Sequence, residues 1–373
     1  MSAIVFYGTL CHLPLLERVL GRRPRDLRPA RIPGHVVTWV ADQPFPMIDR
    51  HAGSEASGLV LTEATESDIA RLDFYEGGFA FDLDETEVLT DAGPVQARLY
   101  RPRPGTWAPG PAWSLEDWVR DWGEITMGAA DEIMARFGRQ DVRTVHELLP
   151  MFRARAWARM LAQRSAPQTV RRRSGHDEVD LRQRDDGYDG FLRLRRFDLR
   201  HRQFDGTWSD TLTRETLVSF DVALVLPYDP VTDKVLLVEQ LRYGALQRGD
   251  PAPWVLEPVA GFVDAGELPE VAARRETAEE TGLSLGELQD MGHWYSSPGY
   301  STEFFHCYLG ICDLAGQGRD LGGLDEENED IRTPAIPFEH AMALLDSGEI
   351  NTAPLAVMLL WLARHRERLR ASG

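Results

Sequence analysis

The sequence predicts an α+β chain in three parts: a small N-terminal unit over 1–104, a helical and charged connection over 105–185, and a larger C-terminal unit over 186–373. Three observations carry this. The chain has 373 residues, more than one domain of about 150 residues absorbs. Short apolar runs alternate with helical patterns up to a Pro/Gly-rich break at Pro102, Pro104, Gly105, Pro109, Gly110 and Pro111. After a polar stretch, strand signals return at Tyr188 and give way to terminal helical patterns.

In the first part, Ile4–Tyr7, Val36–Val40, Gly58–Leu61 and Ala97–Tyr100 read as strands, and Leu13–Leu20 and Glu66–Leu72 as helices. Residues 114–164 read as helical. Ser114 caps the start with Asp117 three residues on, and Trp118, Trp122 and Ile125 fall at helical spacing. A second pattern runs over Val145–Leu161, so a bridging helical hairpin is expected. Residues 165–187 read as a solvated linker holding Arg171, Arg172 and Arg173.

In the last part, Phe191–Phe197 and Arg202–Phe204 read as a hairpin. Val222–Leu226 and Lys234–Glu239 read as core strands joined by a turn at Asp229-Pro230. Trp254–Val259 and Phe304–Ile311 are further strands, and Phe338–Asp346 and Pro354–Leu369 are terminal helices. Pro269–Glu280 is a helix, with proline at its first position and Gly282 just past its end.

Composition sets the function classes. A formal charge of −18 argues against nonspecific nucleic-acid binding, which needs a basic footprint. No apolar run reaches the ~18 residues that span a membrane. No basic flank or cleavage site marks a signal peptide. Cys11, Cys307 and Cys312 form no Cys-x-x-Cys pair, which favours a reducing compartment and a cytoplasmic location. Lys234 is the only lysine, so the basic residues are nearly all arginine, a bias that locates no site.

The chemistry concentrates between Gly261 and Leu283. Gly261 is followed by five residues and Glu267, then by seven residues and Arg275-Glu276-Thr277-Ala278-Glu279-Glu280-Thr281-Gly282-Leu283. Glu276, Glu279 and Glu280 stand at i, i+3 and i+4, which puts three carboxylates on one helix face. Like charges so close repel, and a divalent cation relieves them; magnesium prefers such oxygen ligands and keeps water and phosphate in its shell. Arg275 can pair with Glu279 one turn on. Gly261 and Gly266 permit a tight loop whose backbone approaches the ions.

This segment resembles the Nudix box, departing only at Thr277, where an aliphatic residue is usual. The resemblance covers residues 186–368, a stretch that looks like bacterial ADP-ribose pyrophosphatases. It rests on Leu226-Pro-Tyr-Asp229, Val238-Glu-Gln-Leu-Arg242, Trp254-Val-Leu-Glu-Pro-Val-Ala-Gly261, Ser296-Ser-Pro-Gly-Tyr-Ser-Thr-Glu303 and Leu324-Asp-Glu-Glu-Asn-Glu-Asp-Ile331, with Pro298 sixteen residues after Gly282. It implies an α/β/α sandwich with a mixed sheet and hydrolysis of ADP-ribose to AMP and ribose 5-phosphate. It also implies use of magnesium, with manganese as substitute, and a domain-swapped homodimer. Glu276, Glu280 and the Ala260 carbonyl would bind the ion, and Glu279 would bind or support a second. Arg214 and Arg242 would contact the diphosphate or terminal ribose, Glu303 would lie on the ribose side, and Phe191 would stack on adenine near the partner subunit. Glu327 is the expected base for the attacking water, with Glu329 as runner-up. Other nucleoside diphosphate sugars are the alternative substrates.

Tyr7-Gly8-Thr9-Leu10, after Phe6, and Leu72-Asp-Phe-Tyr-Glu76-Gly77 resemble the γ-glutamylcyclotransferase-like (AIG2-like) family over residues 3–101, which implies a small β-barrel with helices. There, the Tyr-Gly-Thr-Leu loop would offer backbone N–H groups to a substrate carboxylate and Glu76 would act as general acid/base. Phe79 and Phe81 stand where related proteins often place a tyrosine and a basic residue. The fusion resembles proteins associated with tellurite resistance.

Overall fold

The computed structural model describes residues 2–163, 169–172, 175–184, 187–315, 321–323 and 330–372. It divides into two compact units, Met1–Arg164 and Ser165–Gly373.

Unit 1 is a closed barrel with a helical layer. Its strands are β1 (Ser2–Phe6), β2 (Leu27–Val40), β3 (Pro46–Ala64), β4 (Phe81–Thr90), β5 (Gly93–Pro102) and β6 (Pro109–Ala112). The order is β3-β1-β5-β4-β2-β6, and β2 also pairs with β3, which closes the ring. Strand alternation assigns two cores. Val5 and Tyr7 point into the barrel with Ile32, Ile48, Val60, Val88 and Leu99. Ile4 and Phe6 point outward, beneath helices α1 (Leu13–Leu20), α2 (Glu66–Glu76), α3 (Leu115–Trp118), α4 (Glu124–Met134), α5 (Val142–Glu147) and α6 (Leu149–Leu161). Thr65 and Asp68 form a capping box at the start of α2, satisfying two helix-end donors reciprocally.

The stretch expected to bridge two domains therefore belongs largely to unit 1. Trp118, Ile133, Val145 and Phe152 are buried in its helix-side core. The helical reading was correct. What local pattern did not reveal was the barrel face that these side chains cover.

Unit 2 carries β7 (Val179–Arg184), β8 (Arg193–His201), β9 (Leu212–Val218), β10 (Asp221–Asp229), β11 (Lys234–Leu236), β12 (Val238–Leu241), β13 (Trp254–Glu257), β14 (Val259–Phe262), β15 (Leu288–Tyr295), β16 (Phe304–Ile311), β17 (Leu321–Gly322), β18 (Ile331–Arg332) and β19 (Ala335–Pro337). Its helices are α7 (Tyr243–Arg248), α8 (Pro269–Thr281), α9 (Phe338–Ser347) and α10 (Ala353–Ser372). The central sheet runs β15-β16-β10-β11-β19, with β14 also on β10. It is mixed, because β10 is parallel to β16 and antiparallel to β11 and β14. Every residue of β10 is buried, as its apolar run predicts for a strand covered on both faces. Val222, Leu224, Leu226 and Tyr228 pack with Leu355, Met358, Leu359 and Leu362 of α10, while α8 packs against β10 and β14.

Four local expectations differ from the structure. Arg202–Phe204 is not the second strand of a hairpin: β8 pairs with β7 and β9, and an Asp205-Gly206 turn follows Phe204, with Gln203 N donating to Thr207 O at 2.8 Å. Part of the supposed linker is thus strand β7, recruited by non-local pairing. Trp254–Val259 is not one strand: β13 pairs with β12 and β14 with β10, on either side of Pro258, which has no N–H for a ladder. Lys234–Glu239 likewise divides into β11 and β12, in different sheets.

Candidate active site

Helix α8 carries the carboxylates. Pro269 opens it and Gly282 closes it in a left-handed conformation (φ 69°). Thr277 is fully buried, and its hydroxyl donates to the Ala273 carbonyl one turn back at 2.7 Å, so the unusual residue carries its polar group satisfied within the helix. Glu280 is almost fully buried, Glu276 is largely covered, and Glu279 is about one-third exposed.

Arg275 ties these acids together. Its guanidinium donates to Glu276 at 2.6 Å, Glu279 at 3.0 Å, Glu267 at 2.9 and 3.1 Å, and the Phe262 carbonyl at 3.1 Å. These anions hold the guanidinium more firmly protonated than usual despite partial burial, which opposes them. The Glu279 contact is the one that the spacing predicts. Gly261 on β14 presses against Glu276: a Cβ there would lie 1.8 Å from the Glu276 carboxyl carbon. Ala260, beside it, pairs in register with Leu224 of β10. Among the described residues no three carboxylate, histidine or cysteine side chains gather as a preformed metal cage. Instead Arg275 engages Glu276 and Glu279 directly.

A second polar group forms around β12 and β13. Arg242 donates to Glu257 at 2.5 Å. Burial raises the pKa of Glu257 and the nearby Glu303 carboxylate adds to the rise, while Arg242 opposes both. Arg242 and Glu303 thus both act on Glu257, the first by a direct bond and the second through its charge. Glu257 was missed as a site residue, although it stands inside the quoted Trp254–Gly261 segment. The available signal was an acid adjoining the proline that divides β13 from β14.

Phe191 is half-exposed and packs in its own chain with Phe220 (5.7 Å between ring centres) and Phe262 (6.0 Å), the latter next to Gly261. Arg214 is exposed on β9 opposite Phe197 and donates to the Thr213 carbonyl at 2.8 Å; no contact among the described residues joins it to Arg242 or α8. Glu327 and Glu329 lie outside the described residues. Both flanks of their segment are described. Gly322 sits so close to α8 that a Cβ would lie 1.8 Å from the Glu280 carbonyl, and Arg332 pairs with Glu239 of β12.

Unit 1 contains a separate cleft. Tyr7, Gly8, Thr9, Leu10 and Glu76 all line it. Tyr7 donates its hydroxyl to the Tyr100 carbonyl at 2.7 Å, and Tyr100 donates its own to Asp73 at 2.6 Å. Gly8 allows the loop to pass Pro46, since a Cβ would lie 2.4 Å from that ring. Burial pushes the Glu76 pKa up to about 8, so its carboxyl is mostly protonated at neutral pH. Phe79 and Phe81 meet Phe45, making one wall aromatic.

Comparison with known proteins places a family match in each unit. Residues 219–356 match the NUDIX domain family, and residues 4–120 match the family described as gamma-glutamyl cyclotransferase, AIG2-like. An ADP-ribose pyrophosphatase of Escherichia coli strain K12 is 36% identical over 196 residues, 52% of this chain and 93% of that protein. One from Haemophilus influenzae is 37% identical over 187 residues, 50% of this chain and 86% of that protein. A GDP-mannose pyrophosphatase of Enterobacter sp. is 34% identical over 140 residues, 38% of this chain and 72% of that protein. With the box on α8, the mixed sheet beneath it and these relatives together, the chain belongs to the Nudix hydrolases, its Nudix domain following an AIG2-like domain in the same polypeptide.

Proposed function

We propose that unit 2 hydrolyses the diphosphate of ADP-ribose to AMP and ribose 5-phosphate, using a divalent cation, with magnesium the natural choice. The observation that carries this reading is the set of Glu276, Glu279 and Glu280 on one face of α8, with Gly261 of β14 packed against Glu276 and Arg275 bonding Glu276 and Glu279, which leaves net negative charge for a cation to balance. The donor set fits a hard cation: carboxylate oxygens, with the backbone of Ala260-Gly261 beside Glu276. Glu276, Glu280 and the Ala260 carbonyl would hold the ion, and Glu279 would support a second. A bound ion supplies charge neutralisation for the diphosphate and its leaving oxygen.

The remaining work falls to side chains. Arg242, set by Glu257, would orient the diphosphate or ribose, with Glu303 on the ribose side and Arg214 reaching in from β9. Phe191, with Phe220 and Phe262, offers an aromatic ledge for adenine. Glu327 would take the proton from the water that attacks phosphorus as the bridging P–O bond breaks; Glu329 is the runner-up. The described helices include none long and apolar enough to cross a membrane, and the three cysteines are free, which supports a cytoplasmic enzyme. Exposed Tyr188, Phe191, Leu192 and Leu194 support a homodimer through the β8 region.

The test is a substrate panel. Full-length protein with magnesium is given ADP-ribose, GDP-mannose and other nucleoside diphosphate sugars, and products are identified by mass. ADP-ribose should give the highest kcat/KM, with AMP and ribose 5-phosphate as products. A higher value for GDP-mannose would transfer the assignment to that sugar nucleotide.

For unit 1, we propose a second, separate site of γ-glutamyl cyclotransferase type. A buried, mostly protonated Glu76 in the same cleft as the Tyr7–Leu10 loop supports it. Release of 5-oxoproline from a γ-glutamyl amine, lost in Glu76→Gln, is the outcome that would establish it.

A further inference from the structure

The unit 1 cleft has a wall that the barrel does not supply. Thr126, Ala129 and Ile133 of α4 and Leu149 and Arg153 of α6 line it, all beyond residue 120, where the AIG2-like match ends. The spacings 126–129–133 and 149–153 put each set on one helix face, and the two faces look into the same space. Helix α6 is fixed in place. Arg155 is buried and donates to the buried Glu132 of α4 at 2.8 Å, and Phe152, beside Arg153, is fully buried.

Arg153 has no such partner. It makes no hydrogen bond or ion pair with any described residue. Its charged neighbourhood is thin. Tyr75 and His146 are the groups that act on it electrostatically, and burial favours the neutral form of both. Burial likewise weighs against the guanidinium's own charge. Glu76 lines the same cleft, mostly protonated at neutral pH, yet forms no ion pair with Arg153. Arg153 is half-buried in the cleft wall, and a guanidinium there without a counterion leaves its planar donor fork free for an anion that enters the cleft. Elsewhere in this unit, Arg22 has Asp68 and Arg155 has Glu132.

We propose that Arg153 anchors the carboxylate of a small acidic ligand, whose apolar body lies against Phe45, Phe79 and Ile133 and whose far end faces Glu76. Helices α4 and α6 thereby complete a binding site that the barrel alone leaves open. A carboxylate suits the site: it matches the planar fork of one arginine, and the other walls are chiefly aromatic and aliphatic. This inference does not rest on hydrolysis in unit 2, nor on Glu76 performing chemistry.

The test uses the full-length protein at pH 7 with ω-phenylalkanoates of two to six carbons, their primary amides, and phenyl phosphate. Binding is followed by saturation-transfer NMR and by hydrogen exchange of peptides from 1–164. At least one carboxylate should bind and protect peptides from α4 and α6, while its amide binds about 10- to 100-fold more weakly, the range for a charge-assisted pair. Arg153→Gln should lose the carboxylate by a similar factor, and Arg153→Lys should restore part of it. Arg153→Gln should also melt close to the parent, because no hydrogen bond or ion pair among the described residues is lost; this separates lost binding from lost folding. Equal binding of acid and amide, preference for phenyl phosphate, failure of every carboxylate, or unchanged binding by Arg153→Gln would each overturn the proposal.

Discussion

Gly261 and the Glu276 carboxyl are in such close contact that a single methyl on Gly261 would stand 1.8 Å from the carboxyl carbon. The contact locks helix α8 to strand β14, and it explains why the box begins with glycine. The constraint is space beside the Glu276 side chain, at a position where the backbone needs no left-handed turn.

Gly261→Ala should therefore displace Glu276. Overpacking of this kind costs about 1–3 kcal/mol, and a reacting group moved by an ångström loses on the order of 10²-fold in rate. Denaturant unfolding and kcat/KM for ADP-ribose are the measurements. Activity and stability equal to the parent would show that the contact does not matter.

Glu280→Gln should keep the fold and lose at least about 10²-fold in turnover, since removing even supporting groups around a metal costs 10- to 100-fold. Circular dichroism checks the fold, and a magnesium titration shows whether more ion rescues activity. Full turnover at low magnesium would remove Glu280 from the ion site.

Glu327→Gln should lower kcat by about 10²- to 10⁴-fold, the usual worth of a general base, with little change in KM. If Glu329→Gln shows the larger effect, the base is Glu329. If neither does, the proton goes elsewhere.

Thr277→Val should change stability by less than about 1 kcal/mol and leave turnover intact. Among the described residues the Thr277 hydroxyl bonds only the carbonyl one turn back, and that carbonyl retains its helical partner. A melting temperature several degrees lower would mean that the hydroxyl has a further role.

Glu76 gives a pH prediction with a definite sign. Its folded pKa of about 8 lies above the unfolded value near 4.5. Below the unfolded value both states hold the proton, and the burial of Glu76 costs least. As pH rises toward 8 the unfolded chain releases the proton first, so unit 1 loses stability by at most about 1.4 kcal/mol per pH unit. Hydrogen exchange in residues 1–164 should therefore quicken between pH 5 and 8 in the parent and less so in Glu76→Gln. Parallel profiles for the two proteins would mean that Glu76 ionises normally.

The sequence alone determined the elements whose cause is local. Proline and glycine bounded α8, apolar continuity marked β10, and fixed spacing put Glu276, Glu279 and Glu280 on one face, because a helix of 3.6 residues per turn leaves no choice. The Tyr7–Leu10 loop and Glu76 were likewise legible as short motifs. Only the tertiary structure decided the rest. Pro258 splits one apolar run between two sheets, sending Glu257 to Arg242 and Gly261 to Glu276. Helices read as a bridge proved to be a wall of the unit 1 cleft, carrying Arg153. Such outcomes depend on which distant surface each segment covers, and burial against a remote partner leaves no signature in local spacing.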